Sequence, residues 1–234
     1  MALFYLPEIE YDSVDLEEEE THHVASVMRL QEGDPIELTD GRGLYCECEI
    51  VKIGKKTITV RVLKRHHEFE KRDYSIHVAI APTKNIDRFE WFLEKATEIG
   101  IDEITPVQCQ NSERNVIRTD RMEKKIISAM KQSIKAYKPA LHRLESFEEF
   151  IEKSESFNQL YIGYCGNVER ELLSHIYQKG ENAVIMIGPE GDFTRDEINM
   201  ALRRNYRPVS LGESRLRTET AGIVACHTLY LLNH

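Results

Sequence analysis

The chain has 234 residues, a formal net charge of −9 at pH 7 and 41% hydrophobic residues, a balance typical of a globular protein with one large domain or two small ones. No apolar run reaches about 18 residues, so a membrane span is not expected. The start lacks the regions of a signal peptide and the five cysteines are scattered, which predicts a cytoplasmic protein with reduced thiols. The histidine pairs at 22–23 and 66–67 lack partners at metal-ligand spacing, so no metal site is predicted.

The charge is unevenly distributed along the chain. Residues 1–70 hold 8 Lys or Arg and 16 Asp or Glu, whereas residues 71–234 hold 23 and 24. Within the second part, residues 114–138 carry eight basic residues and only two acids, Asp120 and Glu123. An acidic total argues superficially against a nucleic-acid partner, but the distribution matters more. This basic stripe is therefore where a phosphate backbone could bind.

The first 70 residues predict a small β-domain. Strands are expected at residues 4–6, 35–39, 44–51 and 57–63. The turn signal Asp40-Gly-Arg-Gly joins two of them, and several short strands at this spacing suggest a small β-barrel. Residues 21–30 have the apolar spacing of a helix. The charged stretch 64–73 is expected to be a linker.

After the predicted linker, strands alternate with helices. The expected strands lie at residues 76–82, 101–107, 160–164, 183–188 and 209–212. The expected helices lie at residues 87–99, 120–137, 147–153, 169–179, 194–205 and 218–232. Such alternation predicts a parallel sheet in an α/β domain.

Two loops that follow predicted strands contain glycines. Ile187-Gly-Pro-Glu-Gly-Asp-Phe precedes a helix opened by the capping-box pattern of Thr194 and Glu197. Glycine permits close approach to a ligand, and ligands bind beyond the carboxyl ends of parallel strands. A tight structural turn explains this segment equally well. It is neither a dinucleotide fingerprint nor a phosphate loop, so it predicts neither a dinucleotide nor ATP.

The second loop lies in the segment Ser210–Gly222, which reads Ser-Leu-Gly-Glu-Ser-Arg-Leu-Arg-Thr-Glu-Thr-Ala-Gly. Thr218 is expected to cap the closing helix, and a glutamate at 219 suits the helix dipole. Taken alone, Glu219 could serve only this capping role, and Arg215 and Arg217 could be solvated surface charges. With a third post-strand glycine at 163, however, all three loops would open at one edge of the sheet.

Together these motifs resemble the ribosomal RNA small subunit methyltransferase E family of the SPOUT superfamily, which methylates uridine N3 in 16S ribosomal RNA. The resemblance spans nearly the whole chain. Its further matches are Lys95–Gly100, Ile104–Pro106, Arg114, Gln132–Ser133, His23–Leu30 and Asp40–Gly41.

The resemblance implies an α/β protein with a PUA-like β-barrel that binds RNA at residues 1–70. It also implies a SPOUT methyltransferase domain at residues 74–234, with a parallel sheet and a C-terminal trefoil knot. The expected cofactor is S-adenosylmethionine. The expected partners are 16S ribosomal RNA, naked or in the assembled small subunit, and a second copy of the chain in a homodimer. No membrane partner is expected.

Site residues carry over from the matching positions. The residues expected to bind the cofactor are Gly163, Ile187, Gly188, Pro189, Glu190, Gly191, Leu211, Gly212, Leu216 and Thr218. Arg217 is expected to stabilise the deprotonated uracil. Glu219 is either the base, an orienter of Arg217 or a structural cap. Arg29, on the matched barrel motif, is an expected RNA contact. Five residues of the basic stripe are expected to contact phosphates, although each could instead be a solvated charge on a helix face: Arg114, Arg118, Lys124, Lys131 and Lys135.

The sequence departs from the family pattern at a few positions. Asp192 stands where the family has a second adjacent glycine, and Ser26 stands where it has a basic residue. An acid at 192 adds charge near RNA, although it could also cap the following helix. Two other functions are considered: an RNA-binding or assembly protein without activity, and a methyltransferase that acts on transfer RNA. A Rossmann-type methyltransferase is disfavoured because no glycine-rich loop follows the strand at 76–82.

Overall fold

The computed structural model of the protein describes residues 2–16, 20–21, 24, 28–154, 157–166 and 168–234. The chain divides into two compact units, Met1–Lys71 with Ile127–Lys138, and Arg72–Ile126 with Pro139–His234. The domain bounds expected from the sequence, 1–70 and 74–234, stay predictions. No helix in these residues is long and apolar enough to cross a membrane.

The first unit contains a five-stranded sheet in the order β1-β3-β4-β5-β2, with β1 parallel to β3 and the other neighbours antiparallel. Its strands are β1 Leu3–Tyr5, β2 Ser13–Leu16, β3 Pro35–Thr39, β4 Tyr45–Ile53 and β5 Ile58–His66. Alternate residues of β5 point into the core, as the period-two pattern predicts. The predicted β-domain is confirmed. The helix expected at 21–30, with Val27 and Ser26, falls largely outside the described residues.

The linker expected at 64–73 was wrong in its bounds, and one strand of the first unit was not expected. Strand β5 continues to His66, into the stretch expected to be a linker, because it pairs with β4 as far as Tyr45. Strand β2, which the sequence analysis did not predict, pairs with β5. Cys46 and Cys48 on β4 are buried in the core, and none of the five cysteines of the chain forms a disulfide.

The second unit is built on an eight-stranded sheet whose neighbouring strands are all parallel. Its order is β11-β13-β10-β12-β6-β7-β8, and β9 pairs with β7. The strands are β6 Ile76–Ile80, β7 Glu103–Gln108, β8 Ala140–Leu141, β9 Glu145–Ser146, β10 Gln159–Gly163, β11 Glu171–Leu172, β12 Ala183–Ile187 and β13 Arg207–Ser210. The predicted parallel α/β sheet is confirmed. The trefoil knot stays a prediction.

Helices cover both faces of this sheet. They are α1 Ile86–Ile99, α2 Thr119–Gln132, α3 Phe147–Lys153, α4 Leu173–Ile176, α5 Arg195–Arg203 and α6 Thr218–Leu232. Ile76, Val78 and Ile80 of β6 pack in one core with residues of α1 and α6. Ala79 of β6 packs in a second core with residues of α3 and α5. Every residue of β6 and β12 is therefore buried, as in a sheet covered on both faces.

Two predicted helices have different bounds in the structure. Helix α2 ends at Gln132 and not near Tyr137, because Ile134 adopts a left-handed φ of 54° and Lys135 N–H bonds back to Met130 O. The stretch expected as a helix at 169–179 instead forms β11 and the four-residue helix α4. By contrast, α6 spans residues 218–232 as expected, and Thr194 forms the predicted capping box with Glu197.

Candidate active site

Three loops leave the sheet side by side at its carboxyl edge. In the register of the sheet, Gly163 at the end of β10 pairs with Ile187 of β12 and with Val209 of β13. The chain segments that follow these three strands therefore start next to one another, as the sequence predicts. They are the 163–166, 188–193 and 211–217 loops.

The three loops surround a cavity of about 740 Å³, a volume within the usual range for small-molecule sites. Nine of the ten residues expected to bind a cofactor line it: Gly163, Ile187, Gly188, Pro189, Glu190, Leu211, Gly212, Leu216 and Thr218. The tenth, Gly191, is not among the lining residues. It lies against Asn111, whose side-chain amide donates to Gly191 O at 3.2 Å.

Glycine is favoured at two of the lining positions for different reasons. Gly212 has a φ of 135°, which other residues rarely adopt, and a Cβ placed there would meet no atom within 4 Å. Its backbone thus faces open space in the cavity. A Cβ on Gly188 would lie 3.0 Å from the ring of Phe193. Packing beneath the loop therefore favours Gly188, since a methyl group would need the Phe193 ring to shift by a few tenths of an ångström.

Hydrogen bonds hold the loops to one another. The sequence predicts that Thr218 caps α6, but the structure shows a different role. The N-cap residue is Arg217, and the buried Thr218 hydroxyl donates to Gly188 O at 3.0 Å. Since Thr218 is the first residue of α6, this bond joins the 188–193 loop to the start of that helix.

Asp192 ties the first two loops together. Its carboxylate accepts from the backbone N–H of Cys165 at 3.1 Å and from that of Phe193 at 2.8 Å. The cap of the following helix is Thr194, so Asp192 does not have the capping role considered for it. The Ser210 hydroxyl fixes the third loop by donating to Gly212 O at 2.9 Å and accepting from Gly212 N–H at 3.2 Å.

A second cavity, of about 610 Å³, adjoins the first. Residues 215–217 line both cavities. The other lining residues of the second are Asp87, Arg88, Trp91, Glu219 and Thr220. This side of the site combines arginines, an exposed aromatic ring and a carboxylate.

Glu219 is the unusual group of the second cavity. Its residue is only 6% exposed, and its Oε2 atom is buried without a hydrogen-bond partner among the described residues. The nearest cation, Arg88, places Nε 3.9 Å from Glu219 Oε1, too far for a hydrogen bond. A buried carboxylate oxygen without a partner is costly unless a ligand supplies a donor.

Arg88 and Trp91 were missed in the sequence analysis. Phe89, Phe92 and Leu93 mark the buried side of α1, which leaves Trp91 on the opposite side, and it is 45% exposed. A single tryptophan on the polar face of an amphipathic helix is a signal that could have drawn attention to this surface. Nothing in the sequence around Arg88 distinguishes it from the other arginines expected on the surface.

The six residues expected to contact RNA lie in different environments. Arg29 and Lys124 are exposed. Arg118 pairs with Asp120 at 3.0 Å, and Lys131 pairs with Glu20 at 2.5 Å. Arg114 donates to Thr83 O at 3.1 Å and Lys84 O at 2.7 Å, so its guanidinium supports a loop. Lys135 is half-buried beyond the end of α2. The RNA roles of all six stay predictions.

The chain is similar to proteins of known family. It is 41% identical to a "probable rRNA-methyltransferase" from Porphyromonas gingivalis, whose structure superposes with a TM-score of 0.91 over 99% of both chains. It is 28% identical to a ribosomal RNA small subunit methyltransferase E from Neisseria gonorrhoeae bound to S-adenosylmethionine, with a TM-score of 0.87 over 99% of this chain and 98% of that one. The enzyme of the same name from Bacillus subtilis is 27% identical over 222 residues, 88% of this chain and 85% of that protein.

A parallel sheet covered on both faces, with glycine-bearing loops around a cavity at its carboxyl edge, defines the class as an α/β enzyme with a small-molecule site. The profile of the RNA methyltransferase domain matches residues 70–230, and that of the RNA methyltransferase PUA domain matches residues 16–63. This chain belongs to the RNA methyltransferase domain family, as the resemblance of its loops implied.

Proposed function

We propose that the protein is an S-adenosylmethionine-dependent methyltransferase that methylates N3 of a uridine in 16S ribosomal RNA of the small subunit. The observation that carries the proposal is the pair of adjoining cavities that share residues 215–217. One cavity has the loops expected to hold the cofactor. The other cavity has the arginines, and the carboxylate without a hydrogen-bond partner among the described residues, that are expected to contact the uracil of the substrate.

The residues of the first cavity fit the cofactor. Gly212 gives backbone access, because no atom lies within 4 Å of the position of its absent Cβ. Leu211, Leu216 and Ile187 provide apolar surface, and the adjacent peptide groups provide donors and acceptors for the polar ends of the ligand. When bound, S-adenosylmethionine supplies an electrophilic methyl group. The chain itself holds the reactants close together, which removes much of the entropic cost of the reaction.

Residues of the second cavity provide what N3 methylation requires. The uracil N3 proton must leave, and negative charge develops on the uracil oxygens. Glu219 Oε2 is a buried acceptor without a hydrogen-bond partner among the described residues, which supports its proposed role as the acceptor of this proton once the substrate is bound. Arg217 lines both cavities, which supports its proposed role of favouring the deprotonated ring with its positive charge. We assign Glu219 as the base and Arg217 as the stabilising group.

The substrate is expected to present an unpaired or extruded uridine, since N3 is hidden in a base pair. Trp91 is exposed in the second cavity and offers a surface on which a base can stack. Arg29 and Lys124 are exposed and are proposed to contact phosphates. Arg118, Lys131 and Lys135 have the same proposed role, which for Lys131 would require exchange of its Glu20 partner.

The proposal includes a homodimer in the cytoplasm. Leu231 on α6 is a large apolar side chain that is 61% exposed. Helices α1 and α6 pack against each other on the same face of the sheet. Exposed apolar residues on such helices are suited to contact a second copy. Analytical ultracentrifugation of the purified chain tests the dimer directly.

Methylation assays with the purified protein test the function. Small ribosomal subunits, naked 16S ribosomal RNA and transfer RNA are each incubated with labelled S-adenosylmethionine, and mass spectrometry identifies the modified base. We expect 3-methyluridine in 16S ribosomal RNA only, and loss of turnover with retained cofactor affinity in Glu219→Gln. Methylation of transfer RNA alone would favour the transfer RNA enzyme. RNA binding without affinity for S-adenosylmethionine would favour the assembly protein.

A further inference from the structure

Three potential metal ligands meet on the parallel sheet away from the active site. They are His77, Glu103 and His142, and one ligand atom from each lies within 4.8 Å of the other two. Glu103 Oε2 is 2.8 Å from His142 Nε2 and 4.0 Å from His77 Nδ1. This His-Glu-His cluster combines the donor types that zinc prefers in proteins.

Strand pairing creates the cluster. His77 of β6 is the register partner of Glu103 of β7, and Glu103 is in turn the partner of Ala140 in β8. His142, two residues after Ala140, lies on the same side of the sheet as Ala140, because side chains alternate along a strand. His142 is held there by its N–H, which donates to Ile104 O at 2.9 Å. Three rigid neighbouring segments thus present the three ligands together.

The cluster contains a buried nitrogen without a partner. His77 is 4% exposed, and its Nδ1 has no hydrogen-bond partner among the described residues. Its other ring nitrogen, Nε2, lies 2.8 Å from the hydroxyl of the buried Thr105. Donation from Nε2–H to Thr105 would leave the Nδ1 lone pair directed at Glu103. Ligating histidines use this arrangement, in which the second nitrogen is fixed by an acceptor.

The charge states of His77 and Glu103 agree with this geometry, whereas the hydrogen bond with Glu103 raises the pKa of His142, so Zn²⁺ has to displace a proton from His142 at low pH. Burial lowers the pKa of His77 to about 4, so the ring is neutral at physiological pH and its 4.0 Å approach to Glu103 is not an ion pair. The hydrogen bond from His142 lowers the pKa of Glu103, so the carboxylate is ionised. A neutral imidazole and a carboxylate are the forms that bind metal.

We propose that His77 Nδ1, the Glu103 carboxylate and His142 Nε2 bind a Zn²⁺ ion, with a water molecule as the fourth ligand. Tetrahedral zinc separates its ligand atoms by about 3.3 Å. The distance of 2.8 Å between His142 Nε2 and Glu103 Oε2 must therefore increase by about half an ångström. The distance of 4.0 Å between His77 Nδ1 and Glu103 Oε2 must decrease by slightly more. Rotation of the Glu103 and His142 side chains achieves both, since these are 33% and 41% exposed.

The position of the ion in the fold suits it to brace the sheet, although its fourth ligand is a water and not the fourth side chain of a closed structural site. The aromatic rings of Phe150 and Phe157 pack against His77 with centroid distances of 5.4 and 5.3 Å and exclude water on that side. His77 and Glu103 stand at the beginnings of their strands, at the edge opposite the loops of the first cavity. The ion would therefore fix β8 to the sheet. This inference does not depend on the proposed methyltransferase activity.

Metal binding to the full-length protein tests the proposal. Protein stripped with a chelator is titrated with Zn²⁺ by calorimetry, and Co²⁺ is used as a spectroscopic probe. We expect one ion per chain, a Co²⁺ spectrum without thiolate charge transfer and a rise in the melting temperature with Zn²⁺. His142→Ala should lower the affinity at least tenfold, and Thr105→Val should weaken it by about 10- to 100-fold, as for other second-shell changes.

His66→Ala is the matched control, because His66 Nε2 also lies 2.8 Å from a glutamate, Glu47, but no third ligand joins that pair among the described residues. It should bind Zn²⁺ as the unmodified protein does. Circular dichroism confirms that each variant is folded; Glu103→Gln replaces His142→Ala if the latter is not. Absence of Zn²⁺ binding in the unmodified protein would overturn the proposal. Equal binding by the folded ligand variant, or a cobalt–thiolate band, would also overturn it.

Discussion

Substitution of Gly212 by alanine separates cofactor binding from folding. Gly212 lies in the 211–217 loop with a φ of 135°, and a Cβ there would meet no atom within 4 Å. The alanine methyl group therefore fits the protein alone without a clash. It would, however, project into the cavity of about 740 Å³ proposed for S-adenosylmethionine.

The size of the effect follows from the backbone conformation. A residue other than glycine at such a φ is strained by about 1–3 kcal/mol. If the free loop of the alanine variant relaxes from this conformation and must regain it to hold the cofactor, the strain is added to the binding free energy; if the loop does not relax, the strain lowers the free energy of unfolding instead. A loss of binding free energy of that size corresponds to a roughly 5- to 150-fold weaker affinity. Contact between the methyl group and the ligand would increase the loss.

Calorimetry with S-adenosylmethionine measures the affinity, and thermal unfolding measures stability. Gly180→Ala is a matched control, because Gly180 also has a positive φ, of 84°, with no atom within 4 Å of its Cβ position, and it does not line the cavity. It should carry a similar strain and leave the affinity unchanged. Equal affinities of Gly212→Ala and the unmodified protein would refute the assignment of this loop to the cofactor.

Three further predictions concern the same site. Arg217→Ala should lower kcat by about 10²–10³-fold, as for loss of an oxyanion donor, with little change in the cofactor affinity measured by calorimetry. A larger effect on the cofactor affinity than on kcat would contradict the assigned role. Thr218→Val leaves Gly188 O without its 3.0 Å donor and should destabilise the protein by about 1–3 kcal/mol in urea unfolding, whereas Thr218→Ser should not. Cys165 lines the first cavity and is exposed, whereas the other four cysteines are buried. One thiol should therefore react rapidly with an alkylating reagent, and S-adenosylmethionine should protect it. Labelling of Cys165 at the same rate with saturating cofactor would argue against the site.

The architecture of the second unit was predictable because its signals are local. The strands β6 and β12 are short runs of buried residues with helices before or after them, and such runs specify a parallel sheet with both faces covered. The three glycine-bearing loops could be assigned to one edge, because all parallel strands present their carboxyl ends there. The identity of the cofactor came only from the resemblance of the motifs.

Features that depend on long-range pairing were not predictable. His77, Glu103 and His142 have no metal-ligand spacing in the sequence, and only the register of β6, β7 and β8 brings them together. The predicted absence of a metal site rested on spacing alone. The end of α2 was also missed, because Ile134 adopts the left-handed conformation there without being a glycine, so the sequence has no glycine signal at that position.

Asp192 shows how a departure from a family pattern can be explained by the loop that contains it. In the family motif this position is a second glycine, and Asp192 adopts a φ of 62°, a conformation that glycine tolerates and that aspartate adopts more readily than most residues. The carboxylate offsets the strain by accepting from Cys165 N–H and Phe193 N–H, and the first of these bonds holds the 163–166 loop against the 188–193 loop. Asp192 also lines the first cavity. Its negative charge there is directed largely to the two backbone N–H groups that donate to its carboxylate. The acid therefore rigidifies the proposed cofactor loops, which a glycine at the same position could not do.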